Sequence, residues 1–206
     1  MARTLVIETA TAACSVALIE GGALIAEEHA EVGRGHAERL VPMIADLPDG
    51  GRAETILVDC GPGSFTGIRV GIAAARGLAF GWTVPVHGFS SLAVVAAGAF
   101  ARNPGIDALA VVLEGGHGEV FMAAVDRQLA QIAPFASLKP DAALAQLGDR
   151  VAIGNGVRHL AALRDDLDLR EALPRAADAR LLPAVLTTLP PRPIYGRAPD
   201  AKPKAA

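Results

Sequence analysis

Cysteine is scarce in this chain: Cys14 and Cys60 are the two in 206 residues, each set in apolar sequence. They read as small buried hydrophobes, and nothing supports a disulfide framework. Long apolar runs are missing too. Arg, Gly or Pro interrupts each one before the roughly 20 residues needed to cross a bilayer, so no membrane contact is expected. Residues Met1 to Ile7 lack a basic segment, an apolar h-region and a cleavage site, so a signal peptide is not expected and the cytoplasm is the expected compartment. The 19 Lys and Arg are scattered among 22 Asp and Glu, for a net charge of -3. That excludes the electrostatic footprint of an autonomous nucleic-acid binder, so any RNA contact is expected to need a partner.

Catalytic signatures are equally thin. The histidines His29, His36, His87, His117 and His159 are isolated, with no pair at the i, i+4 spacing that sets two imidazoles on one helical face. No Gly-x-Ser-x-Gly elbow occurs, and the turn Gly63-Ser64-Phe65 has no identifiable base. The segment Gly61-Pro62-Gly63-Ser64-Phe65-Thr66-Gly67 has the composition of an anion-binding loop. However, no Lys follows to neutralise a phosphate, Pro62 has no backbone donor, and no acidic residue stands about twenty positions on to hold a ribose. A tight strand-to-helix turn capped by Ser64 or Thr66 fits better. No catalytic residue, metal ligand or cofactor-binding residue is assigned.

What is present is a packed α/β chain, 51% hydrophobic and 20% charged. Thr4–Glu8, Ser15–Ile19 and Leu24–Ala26, separated by small-residue turns, predict a three-strand meander. The rhythm returns about a hundred residues later, with Leu109 to Glu114, a Gly115-Gly116-His117-Gly118 turn, and Val120 to Val125. This predicts an internal duplication. The turn-rich 102–106 stretch divides lobes expected at 1–104 and 105–206. Between the meanders the pattern predicts a helix over 36–47 with Pro42 forcing a kink or late start, a strand over 55–60, a helix over 68–82, an edge strand over 84–88 and a helix over 91–101. Further on it predicts a helix over 140–147, a strand over 151–153, a helix over 179–189 and an extended Pro-rich tail.

Two of these helices carry more apolar surface than one core face needs. Ala37, Leu40, Val41, Met43, Ile44 and Leu47 span an arc of about 160°, wider than the roughly 100° of a core stripe. In the helix after the glycine-rich turn, Gly67, Gly71, Ala74, Ala75, Gly77 and Gly81 form a ladder of small residues among Val70, Ile72, Leu78, Phe80 and Trp82. Each interior glycine costs about 1 kcal/mol relative to alanine, so the ladder implies a packing gain against another backbone. The helix is expected to be buried nearly all round.

The ordered set Glu8-Thr9-Ala10-Thr11, Ala13 through Leu18, His36 through Met43 and Gly61 through Gly71 resembles the TsaB family, also called YeaZ. Gly118-Glu119-Val120-Phe121 and Pro193-Ile194-Tyr195 with Arg197 extend the match. The resemblance implies an actin-like (ASKHA) fold of two related lobes, each a mixed sheet flanked by helices. It also implies a non-enzymatic accessory subunit for threonylcarbamoyladenosine formation at position 37 of tRNA. The implied partners are the paralogous TsaD transferase and the TsaE ATPase, with tRNA met only through the complex and a homodimer possible when TsaD is absent. In the family the docking surface is the pair of first-lobe helices. This makes His36, Arg39, Leu40, Met43, Ile44, Ser64, Phe65, Thr66, Arg69, Val70, Ala73, Ala74 and Gly77 the interface candidates. The sequence departs from related nucleotide folds where Ala10 replaces a glycine, and from the family at Glu8, usually Asp, and at Glu114-Gly115-Gly116, usually Asp-Ala-Arg. The histidine pair that binds metal in TsaD has no counterpart at His87 to Leu92. The alternative reading is an independent actin-like enzyme, metallopeptidase-like or an ATP-dependent phosphotransferase.

Overall fold

The structure, a computed structural model, describes residues 2–196; Arg197 and the end of the Pro-rich tail lie outside the described residues. Strands β1 (Arg3–Glu8), β2 (Ala13–Glu20) and β3 (Ala23–Glu31) form the antiparallel meander. Gly21 and Gly22, both at positive φ, make its second turn, where a side chain would be strained. Helix α1 (His36–Asp46) leads to β4 (Thr55–Asp59), α2 (Phe65–Trp82), β5 (Val86–Phe89) and α3 (Ser91–Arg102). The second half supplies β6 (Ala108–Gly116), β7 (Glu119–Asp126), β8 (Gln131–Leu138), α4 (Pro140–Leu147), β9 (Val151–Ile153), α5 (Arg158–Ala161) and β10 (Leu169–Arg170).

The first sheet runs β3-β2-β1-β4-β5 and the second β8-β7-β6-β9-β10. In both, the first three strands are antiparallel and the last two join in parallel. The duplication is therefore topological, and the chain has the α/β, two-lobe actin-like fold. The central strands β1 and β6 read as unbroken apolar runs because helices cover both of their faces. On the outer face of the first sheet, α1 and α2 enclose a core around Leu5, Ile7, Val16, Leu40 and Ile68. The inner face packs on α3, whose other side meets the second sheet through Leu92, Val95, Ala99 and Phe100. Leu147 of α4 and Leu160 of α5 close the far side.

Several expectations are corrected. The helix expected over 179–189 is two short 3-10 turns, Ala176–Leu181 and Ala184–Leu186, because Pro183 interrupts it and leaves Leu182 extended. Strand β8 carries Pro134 and reads poorly as a strand; as an edge strand it can hold a residue without a donor. Helix α1 starts at His36 despite Pro42, which sits on the exposed face near Glu38, where water can reach the freed carbonyl. Helix α2 starts at Phe65, three residues earlier than expected, because the Ser64 hydroxyl accepts from Gly67 N at 3.2 Å. The end of the chain returns to the first lobe. Ala176 N donates to Ser15 Oγ, Leu189 pairs with Gly88, and Ile194 N donates to Cys60 O.

Candidate partner-docking site

The base of the site is a pair of carboxylates. Parallel pairing sets Ile7 beside Val58, so the next residues, Glu8 and Asp59, end adjacent strands side by side, both fully buried. Glu8 Oε1 accepts from Ala10 N at 2.6 Å, while Asp59 Oδ1 accepts from Gly61 N at 2.6 Å and Ser91 Oγ at 2.8 Å. The remaining oxygens, Glu8 Oε2 and Asp59 Oδ2, have no hydrogen-bond partner among the described residues. Two fully buried carboxylates at adjacent strand ends oppose each other's ionisation. Burial, then the charge of Asp59, holds the Glu8 carboxyl well above the usual range; burial raises Asp59 as well. Both cysteines are buried, and burial pushes their thiols up to about 11, in keeping with a packing role.

This pair clamps the turns it touches. Ser64 N donates to Ala10 O at 2.6 Å and Thr9 Oγ1 donates to Gly67 O at 2.8 Å. A Cβ on Gly63 would lie 1.9 Å from Ala10 O, and one on Gly67 would lie 2.1 Å from Thr9 O. The glycine-rich loop is thus seated against the first turn, backbone on backbone, which fixes the direction in which α2 leaves the sheet.

The small-residue ladder of α2 proves to be two ladders. Gly67, Gly71 and Ala75 face inward, and a Cβ on Gly71 would lie 2.4 Å from Thr9 Oγ1. Ala73, Gly77 and Gly81 are exposed, with nothing within 4 Å of a Cβ added at Gly77 or Gly81. Full burial of α2 is therefore corrected: Phe80 is 90% exposed and Phe65 57%. The expected contacts divide likewise. Leu40, Met43 and Ile44 are buried in the chain's own core, and His36 is buried with Nε2 3.0 Å from Ala13 O. These four shape the helix pair from within. Arg39, Ser64, Phe65, Thr66, Arg69, Ala73 and Gly77 are exposed, and Val70 and Ala74 are half-buried. Val41, 62% exposed, and Phe80 extend the open apolar face. Neither was singled out as a contact, although Val41 stood in the over-wide apolar arc.

At the start of α2, the Arg69 guanidinium carbon lies 3.5 Å from the Phe65 ring centroid, and Arg69 Nη2 donates to the Tyr195 hydroxyl at 2.8 Å. A second concavity, about 540 Å³, opens between the lobes beside His29, Glu31, Arg102, Glu114, Arg158 and Arg175. Among the described residues its three guanidinium groups are each paired with a carboxylate, Arg102 with Asp178, Arg158 with Glu114 and Arg175 with Glu27. Among the described residues, no helix is long and apolar enough to cross a membrane and no group of three or more potential ligands could hold a metal ion.

A family model described as TsaD, tRNA N6-adenosine threonylcarbamoyltransferase, matches residues 26–165. The Escherichia coli tRNA threonylcarbamoyladenosine biosynthesis protein TsaB is 41% identical over 133 residues, 61% of this chain and 55% of that protein. Its Haemophilus influenzae namesake is 37% identical over 60% of this chain and 54% of its own length, so the chain spans about half the length of these named relatives. An uncharacterized Mycobacterium tuberculosis protein is 30% identical over 98% of this chain and 94% of its own. Among solved structures, YeaZ from Pseudomonas aeruginosa superposes with a TM-score of 0.76 at 30% identity, covering 88% of this chain and 90% of that one.

Proposed function

Because this chain belongs to the TsaB (YeaZ) family, we propose that it is a non-catalytic subunit of the system that forms threonylcarbamoyladenosine on tRNA, docking a TsaD-type transferase through α1 and α2. The observation that carries this reading is the open apolar face of α2. A helix turns a row of small residues and Phe80 to solvent although its opposite side already packs on the first sheet. Small residues let another backbone come close, and the desolvated rings supply the affinity. The buried acid pair has no access to a substrate, since the glycine-rich loop and Ser91 close over it. TsaE joins the complex in this reading, and tRNA meets the chain only there.

Reconstitution tests it directly. Transfer to tRNA by TsaD and TsaE, measured with and without this chain, is expected to depend on it. Ala73→Trp is expected to abolish co-purification with TsaD while leaving the fold intact; unchanged association would refute the assigned face. Stoichiometric metal or ATP turnover by the isolated chain would refute the non-catalytic role.

A further inference from the structure

Arg69 is held in place by Phe65 of its own helix and by Tyr195 from far along the chain. Its guanidinium carbon is 3.5 Å from the Phe65 ring centroid and 5.8 Å from that of Tyr195, and the two rings lie 5.9 Å apart. Nε and Nη2 donate to the Tyr195 hydroxyl at 3.2 and 2.8 Å. Tyr195 is carried by the returning strap, fixed where Leu189 pairs with Gly88, where Arg76 Nη2 donates to Pro191 O at 2.7 Å, and where Ile194 N donates to Cys60 O at 2.7 Å. The strap thus holds the phenol, and the phenol holds the guanidinium.

A guanidinium has five N–H donors, and two are committed to Tyr195. Among the described residues the partners of Arg69 are these two rings, with no carboxylate between them. Phe65 is 57% exposed and Tyr195 48%, so the cluster presents rings and cation to solvent together. Stacking has already removed the rotamer freedom that a long side chain loses on binding, and a stacked guanidinium gives up little hydration.

Charge decides what such a cluster receives. Helix α2 carries Arg69 and Arg76 and no acidic residue. A helix whose charges are all cationic is complemented by carboxylates. A nucleic acid needs a wider basic surface than this, and α1 beside it exposes Glu38 and Asp46 in a chain of net charge -3. We infer that Phe65, Arg69 and Tyr195 form a preorganised anchor for an Asp or Glu side chain of the partner protein, with the guanidinium donating to the carboxylate and the rings excluding water around the pair. This rests on the docking reading of α2 given above.

The test uses the full chain and its TsaD-type partner from the same organism, with affinity measured calorimetrically at low and high salt. Arg69→Gln is expected to weaken association by about tenfold or more, the loss being greatest at low salt, with an unchanged melting temperature. Arg69→Lys is expected to recover little, because an ammonium cannot stack or bind bidentately. Arg69→Glu should be rescued by replacing one carboxylate of the partner with Arg. If Ala73→Trp abolishes binding while Arg69→Gln binds like the parent, the anchor is refuted and the docking face stands. If neither variant changes affinity, both fail. If Arg69→Gln spares the partner but reduces self-association in sedimentation, or binding of a short single-stranded RNA followed by fluorescence anisotropy, the carboxylate assignment is overturned.

Discussion

Helices α2 and α3 are both rich in Gly and Ala, neither contains Asp or Glu, and the fold treats them differently. Nine of the 12 residues of α3 are buried, against six of the 18 of α2. The cause is their place in the layers. Helix α3 lies between the two sheets, so the duplicated lobe covers the side that the first sheet leaves open. Helix α2 lies outside the first sheet with α1 beside it, and no further layer follows. Its topological counterpart in the second lobe, α5, is only four residues long. Apolar composition in a helix therefore does not by itself report burial, and the layer order decides how many of its faces the chain covers.

Substitutions of matching type on the two helices should break this comparison most sharply. Gly98 of α3 would place a Cβ 2.1 Å from Asp178 Oδ2, which is ion-paired to Arg102. Gly98→Leu is expected to destabilise the isolated chain by about 3 kcal/mol or more, seen in urea denaturation, because it overpacks the site and displaces a half-buried ion pair. Within α2 the two ladders should respond with opposite signs. Gly67→Ala is expected to cost about 2 kcal/mol, since Thr9 O stands 2.1 Å from the new atom and is backbone. Gly77→Ala, with open space around it, is expected to stabilise the isolated chain by about 0.5–1 kcal/mol through helix propensity alone. A destabilising Gly77→Ala would mean that the outer face is already packed.

The acid pair beneath α2 gives a pH test. With its carboxyl raised by burial, Glu8 keeps its proton in the fold and loses it in the unfolded chain near the ordinary value of 4.5. The folded state then binds more protons, so stability falls as pH rises above that value, by up to about 1.4 kcal/mol per pH unit for one proton. Glu8→Gln keeps a donor toward Asp59 and removes the titration. It is expected to flatten the downward slope that sets in as pH rises above about 4.5 in pH-dependent denaturation, and an unaltered slope would place the titration elsewhere. The smallest effect is expected from Phe80→Ser: within about 0.5 kcal/mol of the parent in thermal melts, because the ring is 90% exposed.

Much of the fold was legible residue by residue. Leu5-Val6-Ile7, the Gly21-Gly22 turn and the spacing of Leu40, Met43 and Ile44 each announce their element by period or punctuation, and Ser64 announces the helix it caps. The site was legible in part. Glu8 and Asp59 each end an apolar run, but their pairing follows from β1 and β4 being parallel neighbours, and 51 positions of sequence hide that. Phe65 and Arg69 stand four apart on one helix, whereas Tyr195 joins them from 126 residues beyond Arg69.

By itself, the sequence determined the order of the first-lobe strands and helices, the repeated meander and the presence of two over-apolar helices, because period, turn chemistry and capping act within a few residues. Only the tertiary structure decided which glycines of α2 touch Thr9 and which face solvent, that two buried carboxylates lie side by side, and that Tyr195 braces Arg69. These depend on strand order and on the returning strap, so they arise from contacts between residues far apart in the chain.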